Sequence, residues 1–199
     1  MEIKMSTEKR QIIDSVLSAW SGHYDFAQWL VKEMNPKTIV DLGVDYGYST
    51  YSFAVQNVGE VFGIDNFNGE EQTGVRDTES FVRNKIKELN LTNVRIFKAD
   101  FNEIASVWGR SIDILHIDGY HSYEAVKNDY ITWSKFVSLN GVILFHDTQV
   151  KDRGFGVYRF FDEINHPKVN FKQSFGLGVV SRNAVLIQKI KELFSQQLD

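Results

Sequence analysis

The chain has 199 residues, 43% of them apolar and 24% charged, with a net charge of −4 and no cysteine. Such a length and composition suit one soluble globular domain, and the absence of cysteine excludes disulfides, thiolate metal sites and cysteine nucleophiles. The acidic balance gives no sign of a nucleic-acid binder, no run is long enough for a membrane span, and "MEIKMSTEKRQ" lacks the apolar core of a signal peptide, so a cytoplasmic protein without a membrane partner is expected.

Ile12, Ile13, Val16, Leu17 and Trp20 recur at helical spacing, and Phe26, Trp29, Leu30 and Met34 do so again. Two helices are therefore expected before Pro36, with Trp20 and Trp29 packing on a sheet or on a second copy of the chain. Thr38–Leu42 is a short buried strand, "YSTYSFAVQN" a helix, and "VGEVFGID" a second strand ending at Asp65. Residues 66–77 are polar, glycine-bearing and without periodicity, which predicts a loop. A helix stripe at Phe81, Val82, Ile86 and Leu89 precedes the strand "VRIFKAD" and a short helix over 102–108. "IDILHID" is a fourth strand, 122–137 a long helix, and "GVILFHD" a fifth strand. Beyond 150 the pattern predicts a helix over 155–164, strands near 169–174 and 176–181, and a terminal helix over 186–198. Alternating strands and helices imply an α/β fold with a parallel sheet, and nearly continuous apolar strands imply that both its faces are covered. No linker or repeat divides the chain. A single domain over 1–199 is expected, with a helical extension at 1–36, a core at 37–150 and a third part at 151–199.

In open α/β sheets, ligands bind beyond the carboxyl ends of the strands. "VDLGVDYGYST" (40–50) is a strand, a glycine turn and a helix start. Gly43 and Gly47 let the backbone turn tightly beside a ligand, and Ser49 or Thr50 can cap the helix. Asp65 ends the next strand, where a carboxylate can take both hydroxyls of a ribose. The dinucleotide pattern G-x-G-x-x-G is absent, and so is a P-loop. Asp45 would stand near a pyrophosphate. An acid there suits a sulfonium and an amino group better than a dianion, which favours S-adenosylmethionine over NAD.

These residues carry a resemblance. "VDLGVDYGYST", "GIDNF", "KADF" and "IDILHIDGYHSYEAVKNDYITWSKFVSLNGVILFHDT" together resemble class I S-adenosylmethionine-dependent methyltransferases, in particular methyltransferase family 24. The resemblance runs from about 38 to 181. It includes "FGVYRFFDEI" and "GLGVV", which recur in relatives associated with glycan biosynthesis. It implies a Rossmann-like, doubly wound, mostly parallel seven-stranded sheet in the order 3-2-1-4-5-7-6. It also implies that Asp41, Gly43, Gly47 and Ser49 serve the methionine end of the cofactor, that Asp65 binds ribose, and that Asp100 and Phe101 flank adenine.

If strands four and five are neighbours, roughly 4.8 Å apart, Asp118 meets His146 and Asp147 at their tips. Two acids and an imidazole can hold a divalent cation. Metal-dependent O-methyltransferases acting on catechols and macrolide sugars place an acid after strand four and a residue pair after strand five. By that resemblance the ligands are Asp118, His146 and Asp147. The imidazole makes Mn²⁺, Fe²⁺ or Zn²⁺ candidates beside Mg²⁺. His121 matches the place where related enzymes carry a general base, so His121 and Asp118 form the expected catalytic pair in O-methylation of a small-molecule or sugar hydroxyl. Three rivals stay open. Tyr123 and Lys127 fit the Y-x-x-x-K pair of short-chain dehydrogenases. Asp118, His121 and His146 fit a nonheme iron hydroxylase. A methyltransferase-like binding module without chemistry is the third. His116 is expected to be a satisfied core histidine, His23 and His166 surface residues, and Asp129 a capping or helix-surface acid. Arg76, Lys151 and Arg153 border the expected acceptor pocket.

Overall fold

The structure is a computed structural model that describes residues 2–72 and 74–199. Met1, at the head of the expected helical extension, and Thr73, within the expected 66–77 loop, lie outside the described residues. Seven strands form one sheet: β1 (Thr38–Leu42), β2 (Glu60–Asp65), β3 (Val94–Lys98), β4 (Ile112–Ile117), β5 (Val137–His146), β6 (Lys168–Phe171) and β7 (Leu177–Ser181). Their order is β3-β2-β1-β4-β5-β7-β6, the order expected for a class I methyltransferase sheet. The first five strands run parallel, and β7 pairs antiparallel with both β5 and β6.

Among the described residues the α-helices are α1 (Glu2–Asp14), α2 (Tyr24–Met34), α3 (Tyr48–Ala54), α4 (Glu79–Glu88), α5 (Phe101–Val107), α6 (Tyr123–Trp133), α7 (Val157–Glu163) and α8 (Ala184–Phe194). They cover the sheet on both sides, which is why all five residues of β1 are buried. One core gathers Trp20, Phe26, Phe53 and Phe171, and the other gathers Val126, Trp133, Phe145 and Phe160. Among the described residues, no helix is long and apolar enough to cross a membrane.

Local chemistry sets the helix starts that matter for the cleft. The Asp100 carboxylate accepts from the Asn102 amide at the head of α5, and the Ser122 hydroxyl accepts from the Ala125 amide at the head of α6. Each cap satisfies an amide the helix cannot, and each fixes where the chain turns after a strand.

Several elements differ from expectation. The first helical stripe breaks at Asp14, and a 3₁₀ turn over Ala19–His23, capped by Ser18, replaces its end. Leu17 therefore leaves the core and is 93% exposed. The loop after β2 contains a two-rung hairpin joining Gly69–Glu70 to Gly74–Val75. The last helix stops at Phe194, with a 3₁₀ turn over Ser195–Gln197. His23 is no surface residue: it is fully buried, edge-on to Trp20, His146 and Phe171. Burial drives its pKa down to about 3, and the nearby His146 adds to the shift. Trp29 packs within the chain, against Phe26 and Phe194.

The register places Asp41 of β1 beside His116 of β4. His116 Nδ1 donates to Asp41 at 2.6 Å, and the Trp20 indole donates to His116 Nε2 at 3.0 Å. An indole N–H can only donate, so Nε2 must accept and the imidazole is neutral with its proton on Nδ1. Replacing Trp20 by Phe removes the one donor that the described residues give this buried nitrogen. Urea unfolding should then show a loss of about 1–3 kcal/mol, the usual cost of a buried unsatisfied polar group. Unchanged stability would mean that the indole bond contributes nothing.

Candidate active site

A cleft of about 720 Å³ opens along the carboxyl edge of the sheet. The tips of β1, β2, β4 and β5 all reach it, together with the loops that follow them. Parallel strands place all those tips on one side, so the sheet itself gathers residues that lie far apart in the chain.

The turn after β1 is close-packed. Gly43 has φ +92°, and a Cβ there would stand 1.9 Å from the Asp118 carbonyl oxygen. Gly47 has φ +87°, and a Cβ would collide with the Tyr51 ring. Both positions therefore need glycine. Asp45, between them, also has a positive φ of 47° and donates its amide to Asp65 Oδ2 at 2.8 Å. The Phe67 amide holds the other Asp65 oxygen at 2.6 Å. Burial raises the Asp65 carboxyl, and these backbone bonds oppose the rise. Arg76 reaches over from the loop and pairs with both Asp45 oxygens, at 2.9 and 2.7 Å.

Six of the seven residues expected at a cofactor reach this cleft: Gly43, Gly47, Ser49, Asp65, Asp100 and Phe101. Asp41 does not. It is fully buried beneath the turn, where Ser49, Thr50 and His116 all donate to its carboxylate. A carboxylate so occupied anchors the turn from below and has no face left for a ligand.

At the other end of the cleft stand Asp118, His121, His146 and Asp147. Asp118 follows β4 and donates its amide to the Leu42 carbonyl at 2.8 Å. Asp147 follows β5 with φ 61°, a left-handed conformation uncommon for a residue with a Cβ. His146 Nε2 donates to the Ser174 carbonyl at 2.9 Å, which turns Nδ1 inward. That nitrogen lies 3.3 Å from an oxygen of Asp118 and 3.3 Å from one of Asp147. His121 was expected one step outside this group, yet its Nε2 lies 2.8 Å from Asp147 and 3.5 Å from Asp118. Asp118, His121 and Asp147 offer ligand atoms all within 4.8 Å of one another. His121 thus belongs to the same cluster, its ring stacked on Phe155 at 4.2 Å.

The charges are mutually dependent. Burial would raise the Asp118 carboxyl, but His146 and the hydrogen bond from His121 outweigh it and hold it well below the carboxylate range. Burial would likewise raise Asp147, and its bonds from His121 and His146 bring it down. Burial would lower His146, but Asp118 and Asp147 beside it push it up to about 10.

Tyr123 and Lys127 lie away from this cleft. The Tyr123 hydroxyl donates to Glu163 at 2.7 Å, and Lys127 stands 3.5 Å from that hydroxyl. The structure gives that pair no place at a cofactor.

Residues 40–148 match the family model described as a methyltransferase domain. The chain belongs to this methyltransferase family. It is 35% identical over 172 residues to the uncharacterized protein y4gI of Sinorhizobium fredii, an alignment covering 82% of this chain and 19% of y4gI. It is 32% identical over 123 residues to a protein of Acanthamoeba polyphaga mimivirus, covering 59% of this chain and 54% of that one. The chain thus spans about a fifth and about half of these two relatives. Among solved structures, the Bacillus cereus O-methyltransferase in complex with SAH matches with a TM-score of 0.63 at 17% identity, covering 89% of this chain and 90% of that one. TomG of Streptomyces achromogenes, an O-methyltransferase solved with SAM, gives 0.63 at 12% identity over 89% of both chains. Cofactor-bound Rv0187 from MTB gives 0.66 at 13% identity over 90% of both. At these identities the likeness is one of fold.

One residue of the methyltransferase cleft was misplaced by sequence reasoning. Asp129 was expected on the helix surface, yet it is 6% exposed and lines the cleft. Val126, Asp129 and Trp133 form the buried stripe of α6. The spacing itself was the available signal, because an acid stands where an apolar residue belongs. Burial pushes the Asp129 carboxyl up to about 7, opposed by the Asn128 bond and reinforced by Asp100. A carboxyl whose folded pKa is raised holds its proton more tightly folded than unfolded, so it lowers stability as pH rises from about 4 to about 7. Asp129→Asn should match the native chain near pH 4 and become progressively more stable than it up to about pH 7, with a constant margin above. Melting curves across that range measure this, and a margin independent of pH would contradict it.

Proposed function

We propose that this methyltransferase domain transfers the methyl group of S-adenosylmethionine to a hydroxyl of a small molecule or sugar, assisted by a divalent metal ion. One observation carries the reading: a single cleft joins the Gly43–Gly47 turn and Asp65 to the cluster of Asp118, His121, His146 and Asp147. Nucleoside-binding features occupy one end and an acid–imidazole cluster the other. The O-methyltransferase names of several fold neighbours, and the SAM or SAH held by some, point the same way.

In this reading Asp65 takes the ribose hydroxyls with the lone pairs that the Asp45 and Phe67 amides leave open. Gly43 and Gly47, beyond the tip of β1, would line the methionine end, with Ser49 behind them. Arg76 and Asp45 stand close by as a preformed pair of opposite charges, suited to a zwitterionic amino acid group. Asp100 and Phe101 border the base.

Asp118, His146 and Asp147 would hold the metal. His146 Nδ1 lies 3.3 Å from an oxygen of each carboxylate, within the roughly 3.0–3.4 Å expected between two ligands each about 2.1 Å from one ion. The Ser174 carbonyl supplies the outer hydrogen bond that orients a ligating imidazole. When bound, the ion would lower the pKa of the acceptor hydroxyl. His121 would take the proton from that hydroxyl, with Asp147 2.8 Å away to stabilise the resulting imidazolium. Phe155 covers the other face of the ring and keeps water from it.

Calorimetry should show S-adenosylhomocysteine binding and NAD binding more weakly. Asp65→Ala should lose about 1.5–3 kcal/mol of that affinity, the worth of hydrogen bonds to a charged group. Tighter binding of NAD would overturn the cofactor assignment.

Turnover should vanish in EDTA and return with Mn²⁺ or Mg²⁺. Asp118→Asn should weaken metal binding strongly. His121→Ala should lower kcat about 10²–10⁴-fold, the range of a positioned base, while metal affinity stays within a few-fold. If His121→Ala loses the metal as severely as Asp118→Asn, His121 is a ligand and not the base. Full activity in chelator would remove the metal from the reaction.

A further inference from the structure

The Asp129 side chain is satisfied poorly for a group so deeply buried. Its one hydrogen bond among the described residues comes from the neighbouring Asn128 amide, 3.5 Å from Oδ1. Oδ2 accepts from none of the described residues. Burying a carboxyl without partners is costly, and native chains rarely leave one so placed. An apolar residue on this stripe would pack between Val126 and Trp133 at no such cost.

The surroundings narrow what could meet that oxygen. A Cβ built on Gly119 would lie 2.5 Å from the Phe101 ring and 3.3 Å from Asp129 Oδ2. The Gly119 backbone, the Phe101 ring and the Asp129 carboxyl therefore converge on one point of the cleft. The Asp65 carboxylate ends β2 and Asp100 follows β3, so a base attached to a ribose at Asp65 extends toward this point. Phe101 offers it an apolar edge, and Gly119 a backbone without a side chain to block it. A buried carboxyl there wants a planar ligand carrying an N–H donor.

We propose that Asp129 is a specificity-determining residue that accepts a hydrogen bond from the exocyclic amino group of the adenine ring. The assignment rests on the S-adenosylmethionine reading above and names the group that selects its base. As an ionised carboxylate, Asp129 would distinguish a 6-amino purine from a 6-oxo purine, since the oxo group offers no donor and would set an acceptor against an acceptor. Its raised pKa is consistent with a site kept dry for this contact.

The test compares two ligands by calorimetry, S-adenosylhomocysteine and its inosine analogue, S-inosylhomocysteine. The native chain should prefer the adenine compound by roughly 10- to 100-fold, the value of one hydrogen bond to a buried charged or polar group. Asp129→Leu keeps the branched shape, removes both acceptors and should bring that preference below about threefold. Asp129→Ala should do the same, and serves if leucine obstructs the slot. Asp129→Asn can present either its carbonyl or its amide N–H, so it should keep affinity for S-adenosylhomocysteine and lose most of the preference. Asp65→Ala should weaken both ligands alike and leave the ratio unchanged. If the Leu and Ala variants weaken both ligands by one common factor, Asp129 is structural and the proposal falls alone. If they discriminate as the native chain does, it also falls alone. If the native chain binds neither compound, the cofactor reading falls and takes this assignment with it.

Discussion

A carboxylate with no exposure sits at the centre of the sheet, and much of the cleft is arranged to satisfy it. Asp41 belongs to β1, an interior strand, with β2 on one side and β4 on the other. A buried charge is tolerable only when its lone pairs are filled. Ser49 and Thr50 fill them from the first turn of α3, and His116 fills them from β4. The two hydroxyls fix how sharply the chain must turn after β1, and hence where Gly43 and Gly47 fall. The imidazole passes the constraint outward to Trp20. Through four side chains, one buried acid therefore joins the glycine turn, the central strands and the N-terminal segment that walls the cleft.

The turn so anchored leaves little room beside it. Gly43 lies against the Asp118 backbone so closely that any side chain would overlap it. Asp118 in turn donates to the Leu42 carbonyl. The two ends of the cleft are thus one packed unit, and the acid of the cluster cannot shift without the turn shifting too. Around this unit the charged side chains facing the cleft are mostly acidic: Asp45, Asp65, Asp100, Asp118, Asp129 and Asp147. His146 and Arg76 offset part of that charge. Such a surface is electrostatically suited to cations, and a sulfonium, an amino group and a divalent ion are all cations. It is ill suited to a pyrophosphate.

Much of the fold was legible in the sequence because the strands are short, continuous apolar runs ended by acids. "TIVDL", "VFGID" and "ILHID" each stop where the sheet stops. Of the helices between them, α5 has a side-chain cap, at Asp100. What escaped was decided by tertiary contact. Leu17 fits the stripe of the first helix, but the chain breaks at Asp14 and turns into a 3₁₀ segment held by the bond from Trp20 to His116. No local pattern announces a partner almost a hundred residues away. His23 looked like a surface histidine for the same reason, and the aromatic ring of neighbours that buries it comes from three separate elements. Asp41 was correctly placed at a strand end, yet only the register with His116 reveals that it faces inward. Asp129 is different. Its spacing from Val126 and Trp133 was visible, and the charge of the residue concealed what the periodicity said.

Side-chain and backbone contacts tie together the parts of the cleft that lie outside the sheet around His121. Gln72, from the loop after β2, accepts from the His121 amide through Oε1 and donates through Nε2 to the Arg153 carbonyl. The His121 carbonyl in turn accepts from the Gly156 amide at 2.7 Å. Phe155, between Arg153 and Gly156, stacks on the His121 ring. Three segments distant in sequence therefore meet at the residue proposed to take the acceptor's proton. The metal-competent carboxylates stand on strand tips, where the sheet holds them. His121 stands on a loop whose position depends on Gln72 and Phe155, which would border the acceptor side in the proposed reading. A change in that wall made to admit a different acceptor would move the imidazole as well. In this fold the fit of the acceptor and the placement of the proposed base are properties of one set of contacts, while the cofactor end is governed by another.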